Sequence, residues 1–162
     1  MVNTHSATDN IPKVKDAMNT ELMPIIKRAA KFHGHLGPFL VIGVRMGLIG
    51  IRELKTKANQ EKLHVTARLK YSVPFSCVLD GIQITTRCTF GNQKLTLKNS
   101  SDIAAEFQLP NTKQITIAVN QTTFNELKEQ LLSKNPSTHD VEELAKLIAS
   151  MPEKDLFVIK KE

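Results

Sequence analysis

Two histidines separated by a single glycine, His33 and His35, form the first group of residues that could carry chemistry. In an extended or irregular segment, residues i and i+2 point to the same side, so the two imidazoles can converge on one ion. Gly34 and Gly37 leave the backbone free to turn and leave space above the rings. The pair indicates metal ligands or acid–base groups, and a plain turn between two helices is the alternative.

A second group lies in the segment from Ser76 to Cys88. If Ser76 caps a helix, Cys77 occupies the first helical position, where unpaired N–H groups and the helix dipole favour a thiolate. Asp80 follows one turn later on the same face, where it could accept a proton or hold a histidine. A thiolate beside two histidines indicates either a metal site or a nucleophile. The alternative is that both cysteines are small buried hydrophobes.

The elements that must position these groups are predicted from hydrophobic periodicity. We expect helices at Glu21–Lys31, Pro38–Lys55, from Ser76 onward, Thr122–Ser133 and Thr138–Ser150. We expect strands at Leu63–Tyr71, Lys94–Lys98, Ile103–Leu109 and Gln114–Val119, with an edge strand at Leu156–Lys160. Thr20 is expected to cap the first helix, which would place Pro24 in its first turn. The pattern predicts an α+β fold, with N-terminal helices packed on an antiparallel or mixed sheet and with C-terminal helices.

The chain of 162 residues, 41% of them apolar, is expected to form one domain over residues 13–162 after a flexible tail at 1–12. The helix at Pro38–Lys55 is apolar on nearly every side, which indicates that it is buried. Gly43, Gly47 and Gly50 form a stripe of small residues along it. The stripe either admits a close helix contact, within or between chains, or merely avoids overpacking.

Composition and charge exclude several classes of protein. The net charge of +6 is dispersed and not interleaved with aromatic residues, so nucleic-acid binding is not expected. Two cysteines are too few for a disulfide scaffold or for a four-cysteine zinc finger. The longest apolar stretch, Leu36–Ile51, is short for a membrane span and contains Arg45. Because the N-terminus is polar and has no apolar signal segment, we expect a cytoplasmic protein without a membrane partner.

The two groups together resemble the FmdE family, named for one of the subunits of formylmethanofuran dehydrogenase. The resemblance rests on FHGHLGP at 32–38, GVRMG at 43–47, CVLDGIQ at 77–83 and CTFGN at 88–92, and covers about residues 20–120. It implies an α+β core, usually dimeric, with a pocket that binds a metal ion. The matching polar positions are His33, His35, Cys77, Asp80, Gln83 and Cys88.

Three features depart from the family pattern. Many relatives have a cysteine where Gly37 stands, so this chain lacks one candidate thiolate. Arg87 replaces a common glycine and puts a cation near the site, which would favour an anionic substrate or a thiolate. Beyond residue 120 the sequence has no Cys-x-x-Cys pair, so we expect the core domain without the C-terminal zinc finger of some relatives.

Ligand chemistry restricts the metal. Imidazole and thiolate suit zinc above all, or iron, cobalt or nickel, better than magnesium or calcium. Ligation by His33, His35 and Cys77 would leave one tetrahedral position open for catalysis or for ligand binding, whereas Cys88 as a fourth ligand would close the site. The catalytic candidates are Cys77 and Asp80, the latter as a general base.

Three further side chains are expected to contact substrate or to support the site. Gln83 would orient a bound polar group. Arg87 would lie near the site, and Arg45 is expected to pair with a buried carboxylate such as Asp80 rather than to touch substrate. Two functions remain open, and the first of them is implied by the family resemblance. One is a metal-dependent enzyme or accessory subunit of one-carbon metabolism, in a homodimer or a molybdenum or tungsten enzyme complex. The other is a non-catalytic metal or small-ligand sensor module. A third alternative is that the chain keeps the fold and the dimer but has lost the site and binds nothing.

Overall fold

The computed structural model of the chain describes the backbone of residues 11–162, and side chains from residue 21 onward except at position 133. Most of the tail predicted at 1–12 lies outside the described residues. The helices are α1 (Ile11–His33), α2 (Pro38–Glu53), α3 (Cys77–Thr86), α4 (Gln121–Lys128), α5 (Thr138–Ser150) and α6 (Glu153–Leu156), and a π-helical turn at Glu129–Ser133 continues α4. The strands are β1 (His64–Leu69), β2 (Leu95–Asn99), β3 (Ala104–Gln108), β4 (Ile115–Val119) and β5 (Phe157–Lys161).

The five strands form one mixed sheet in the order β2-β1-β3-β4-β5. β1 and β2 are parallel, and the other three pairs are antiparallel. Alternate residues face the core, as in β4, where Ile115, Ile117 and Val119 are buried and the residues between them are only partly covered. The predicted α+β class is confirmed, and the sheet is of the mixed kind.

The first helix differs from the prediction. Thr20 does not cap it, because α1 begins nine positions earlier at Ile11 and runs through Thr20 without a break. Pro24 therefore lies inside the helix rather than in its first turn. Its side chain is exposed, so the ring adds no bulk to the core. Ile11, Val14 and Met18 have helical spacing, so the apolar period of α1 continues through the position that was predicted as its cap.

The glycines of α2 admit a close helix contact within the chain. A Cβ placed on Gly43 would lie 2.8 Å from the carbonyl carbon of Val78 in α3, and one on Gly81 would lie 2.6 Å from the carbonyl carbon of Gly43. Gly47 meets the side chain of Thr85, and Gly50 meets the ring of Phe107. The two backbones thus touch where either glycine faces the other helix. This contact fixes α3 against α2 and gives no argument for a contact between chains.

None of the helices in the described part of the chain combines the length and the apolar character needed to cross a bilayer.

Candidate metal centre

The turn between α1 and α2 presents the histidine pair. His33 is the last residue of α1, and Gly37 is the extended residue just before α2. Gly34 has φ +104°, a backbone conformation that side chains disfavour, and its N–H donates to the carbonyl of Ala30 at 2.8 Å. This conformation ends α1 and lets the chain reverse. As a result the imidazole rings of His33 and His35 lie 4.6 Å apart between their centroids.

The first residue of α3 joins them. Ser76 precedes the helix, as predicted, but its side chain makes no capping hydrogen bond. His33, His35 and Cys77 each offer one donor atom, and these three atoms lie within 4.8 Å of one another. We call these residues the trio. The structure therefore brings together three of the four side chains that the sequence suggested as metal ligands.

A chain of hydrogen bonds holds one member of the trio. Nδ1 of His33 lies 2.6 Å from Oδ2 of Asp80, and Nε2 of Gln83 donates to Oδ1 of Asp80 at 3.1 Å. Oε1 of Gln83 in turn accepts from the backbone N–H of Phe90 at 3.3 Å. A carboxylate that accepts from the far nitrogen of a histidine fixes the ring and its tautomer. Both oxygens of Asp80 are engaged in this way, so its geometry is that of a positioning residue.

The other ring nitrogen of His33 has no partner. Nε2 of His33 is buried, and the described residues offer it no hydrogen bond. An unsatisfied buried polar atom is costly, and structures that keep one commonly use it. With a proton on Nδ1 towards Asp80, Nε2 carries the free lone pair that a metal ion requires. The donor set of two imidazoles and one thiol is the kind that transition metals bind, so these residues fit a metal ion.

Burial shifts the pKa of two members of the trio, Cys77 and His35. Burial, and then the nearby carboxylate of Asp80, raise the pKa of the Cys77 thiol. This direction runs against the prediction that the helix terminus would favour a thiolate, because desolvation and the carboxylate of Asp80 both favour the neutral thiol. Partial burial, and then His33, lower the pKa of His35, whose side chain is otherwise exposed, and this direction favours the neutral imidazole that can ligate. A bound divalent cation would deprotonate the thiol.

Cys88 does not join the trio. It is 1% exposed, and its Sγ–H donates to the carbonyl of Leu63 at 3.4 Å. Burial raises the pKa of its thiol. Cys88 thus behaves as the small buried hydrophobe that was the alternative for both cysteines. Three protein ligands without Cys88 leave a tetrahedral site open.

Among the described residues, neither arginine makes a hydrogen bond or an ion pair with a member of the trio. Arg45 does not pair with Asp80 but donates from Nη1 to the carbonyls of Ile148 and Met151, both at 2.7 Å. The predicted pairing is wrong because the C-terminus of α5 has free carbonyls and a partial negative charge that a buried cation can satisfy. Arg87 is the exposed residue that ends α3, with φ 63°.

A cleft of about 250 Å³ opens beside the trio. Its lining residues are His33, Tyr71, Val73, Ser76, Cys77, Leu79, Asp80, Gln83 and Phe90, with neither arginine among them. Of the apolar members, Leu79 and Phe90 lie within the sequence motifs but were not predicted as site residues, and Tyr71 and Val73 lie outside the motifs. Their signal is positional, because Tyr71 and Val73 shortly precede α3 and Phe90 follows it. A larger hollow of about 390 Å³ lies between the π-helical turn and α5 and includes none of the trio.

Comparison with protein families places the chain. Residues 32–158 match the model of FmdE, described as "Molybdenum formylmethanofuran dehydrogenase operon". The chain belongs to the FmdE family. The match extends the resemblance of the sequence motifs to nearly the whole of the described fold and confirms the predicted family.

Two related proteins resemble parts of this FmdE chain. A "Probable S-adenosyl-L-methionine-binding protein" of Archaeoglobus fulgidus is 34% identical over 76 residues, which are 47% of this chain and 21% of that protein. The chain thus spans about a fifth of that relative. The crystal structure of a "tungsten formylmethanofuran dehydrogenase subunit e (fmde)-like protein" from Syntrophus aciditrophicus has a TM-score of 0.58 and 18% identity, over 87% of this chain and 71% of the other. The second likeness shows a shared fold.

Proposed function

We propose that this FmdE chain binds one divalent transition metal ion through His33, His35 and Cys77. Zinc is the first candidate, and iron, cobalt and nickel suit the same ligands. The observation that carries the proposal is the buried, unpartnered Nε2 of His33 within 4.8 Å of a thiol and a second imidazole. When bound, such an ion with three protein ligands supplies a Lewis-acid position for a small ligand.

The protein's own residues prepare that position. Asp80 orients His33 through Nδ1, which leaves Nε2 facing the trio, and Gln83 orients Asp80. His33 and Cys77 both line the cleft, so a molecule in the cleft contacts two of the three ligands. Cys77 is 7% exposed, so most of this residue is shielded from solvent by the residues packed around it.

The cellular role that we propose is in one-carbon metabolism, as an accessory subunit or metal-dependent protein of a formylmethanofuran dehydrogenase. Membership of the FmdE family and the shared fold with the Syntrophus FmdE-like protein support this role. We place the protein in the cytoplasm, as a homodimer or in a molybdenum or tungsten enzyme complex. The name of the Archaeoglobus relative mentions S-adenosylmethionine binding, and our proposal does not extend that property to this chain.

A second candidate is a binding module without catalysis. One observation favours it: both oxygens of Asp80 already accept hydrogen bonds, one of them from the ring of His33, which is the arrangement of a carboxylate that orients a ligand. The raised pKa of Cys77 also disfavours a free thiolate nucleophile. Such a module would bind a metal ion, and the isolated chain would show no turnover. Catalytic roles for Cys77 and Asp80 are part of the first proposal, the metal-dependent protein.

Metal content measured on protein purified without a chelator or a metal-binding tag tests the proposal. We expect about one ion per chain, and zinc affinity measured by competition with a chromophoric chelator should fall sharply in His33→Ala and Cys77→Ser. Cys88→Ser is the matched control, because it removes the same thiol away from the trio and should keep the ion. A wild-type chain that binds no metal, or a Cys77→Ser variant with unchanged affinity, would refute the site.

A further inference from the structure

The cleft beside the trio has an apolar mouth. Among the described residues, seven large apolar side chains are strongly exposed, and three of them, Tyr71, Val73 and Phe90, line this one cleft. Tyr71 is 71% exposed, Val73 78% and Phe90 46%. Apolar side chains gathered at a concave polar site mark a place where a ligand is recognised.

The polar part of the cleft lies on α3. Ser76, Asp80 and Gln83 line it together with the trio members His33 and Cys77. The cleft residues of the described chain include no lysine or arginine, and their one carboxylate repels anions. This charge pattern disfavours a phosphate or a polycarboxylate, which arginine or lysine normally binds.

Phe90 is linked to the metal-binding residues. Its backbone N–H donates to Gln83, which donates to Asp80, which holds His33. The turn that presents Phe90 is braced by Asn92, whose Nδ2 donates to the carbonyl of Arg87 at 2.7 Å. The position of the aromatic ring is therefore tied to that of a metal ligand through three hydrogen bonds.

The volume of the cleft limits the occupant. About 250 Å³ lies just below the range of clefts that enclose a drug-sized molecule. We infer that the cleft binds a small molecule with an aromatic ring and no phosphate or polycarboxylate group, whose ring packs between Tyr71 and Phe90 while its metal-binding group reaches the metal position beside His33 and Cys77. This inference rests on the proposed metal site and adds the chemical class of its ligand.

Two hydroxamic acids with the same metal-binding group test the inference. Benzohydroxamic acid has a ring, and acetohydroxamic acid has a methyl group in its place. Tyr71 is the single tyrosine, and the chain has no tryptophan, so tyrosine emission reports binding at the cleft itself. Calorimetry on the zinc-loaded protein gives both dissociation constants. We expect benzohydroxamic acid to bind at least about tenfold more tightly, since one aromatic contact supplies roughly that factor.

Truncating an aromatic side chain of the apolar mouth should remove the preference for benzohydroxamic acid. Phe90→Ala should bring the ratio of the two dissociation constants towards one and leave acetohydroxamic acid binding unchanged. Leu132→Ala is the matched control, because that exposed side chain lies on the π-helical turn, outside the cleft, and should keep the full ratio.

The outcomes separate the two proposals. Absence of bound zinc would refute the metal site and, with it, this inference. If the zinc-loaded protein binds both acids with equal affinity, only the aromatic ligand is refuted. The same holds if the Phe90→Ala variant keeps the preference for benzohydroxamic acid. Self-association should also be compared by sedimentation. If the wild type self-associates and Tyr71→Ala does not, the aromatic-ligand inference is overturned, because the apolar mouth would then be an interface between chains.

Discussion

Replacing Gly43 by alanine should both destabilise the fold and weaken metal binding. The added Cβ would lie 2.8 Å from the carbonyl carbon of Val78, which directly follows Cys77 in α3. Two carbon atoms pack at about 3.5–4.0 Å, so the helices must separate by roughly 1 Å. Overpacking of this kind costs about 1–3 kcal/mol, and the better helix propensity of alanine offsets up to about 1 kcal/mol of it.

The same displacement reaches the trio. Because metal–ligand distances must hold to about 0.2 Å, a shift of α3 that carries Cys77 away from the histidines should lower zinc affinity as well. Thermal unfolding of the metal-free protein should show a melting temperature lower by several degrees, at about 2–4 °C per kcal/mol for a chain of this size. Chelator competition measures the affinity.

Two further variants test whether the effect of Gly43→Ala comes from the contact between the helices. Gly81→Ala meets the same contact from α3 and should behave alike. Gly91→Ala is the control, because a Cβ there has only Thr89 Oγ1 near it, at 3.8 Å, and it should change neither quantity. A Gly43→Ala protein that is as stable as the wild type and binds zinc equally well would refute the reasoning that the helix contact sets the site.

Three further outcomes are expected. Asp80→Asn should reduce zinc affinity about 10- to 100-fold while zinc stoichiometry stays at one, since His33 loses its orienting carboxylate; unchanged affinity in chelator competition would contradict this. Gly37→Cys should tighten zinc binding and weaken acetohydroxamic acid binding, because a Cβ at this position lies 3.6 Å from Nε2 of His35 and a thiol there can close the open position; calorimetry measures both. Lys161 and then Arg52 lower the pKa of Glu53, so this pair of contacts stabilises the fold above the ordinary glutamate pKa, and the stabilisation is lost as pH falls through the lowered value. Melting temperatures of Glu53→Gln and wild type should therefore differ at pH 7 and converge in acid; an equal difference at every pH would contradict this.

Local patterns carried much of the fold. The apolar run of α2 and the period-two strands predicted elements that the structure contains within one or two residues at most boundaries, because burial of one face leaves a period in the chain. The positions of the trio were also predictable from local sequence, because its members lie at a helix end, in a turn and at a helix start. Each of these local positions is readable from neighbouring glycine, proline and serine residues.

Contacts between distant segments were not readable in this way. The sequence left open whether Cys88 ligates, and it assigned Arg45 to Asp80. The structure instead pairs Arg45 with the end of α5, more than 100 residues away, and gives Asp80 to His33. Local spacing sets the direction of a side chain but not which distant element packs against it.

The sequence by itself determined the family, the α+β class and the residue types of a soft-metal site. Tertiary structure alone decided which of those residues meet. Close contact of α2 with α3 puts Cys77 beside the histidines, and the burial that results raises the pKa of its thiol against the helix dipole. The apolar mouth of the cleft arises for the same reason, since Tyr71 and Phe90 become neighbours of the trio only when α3 is held against α2.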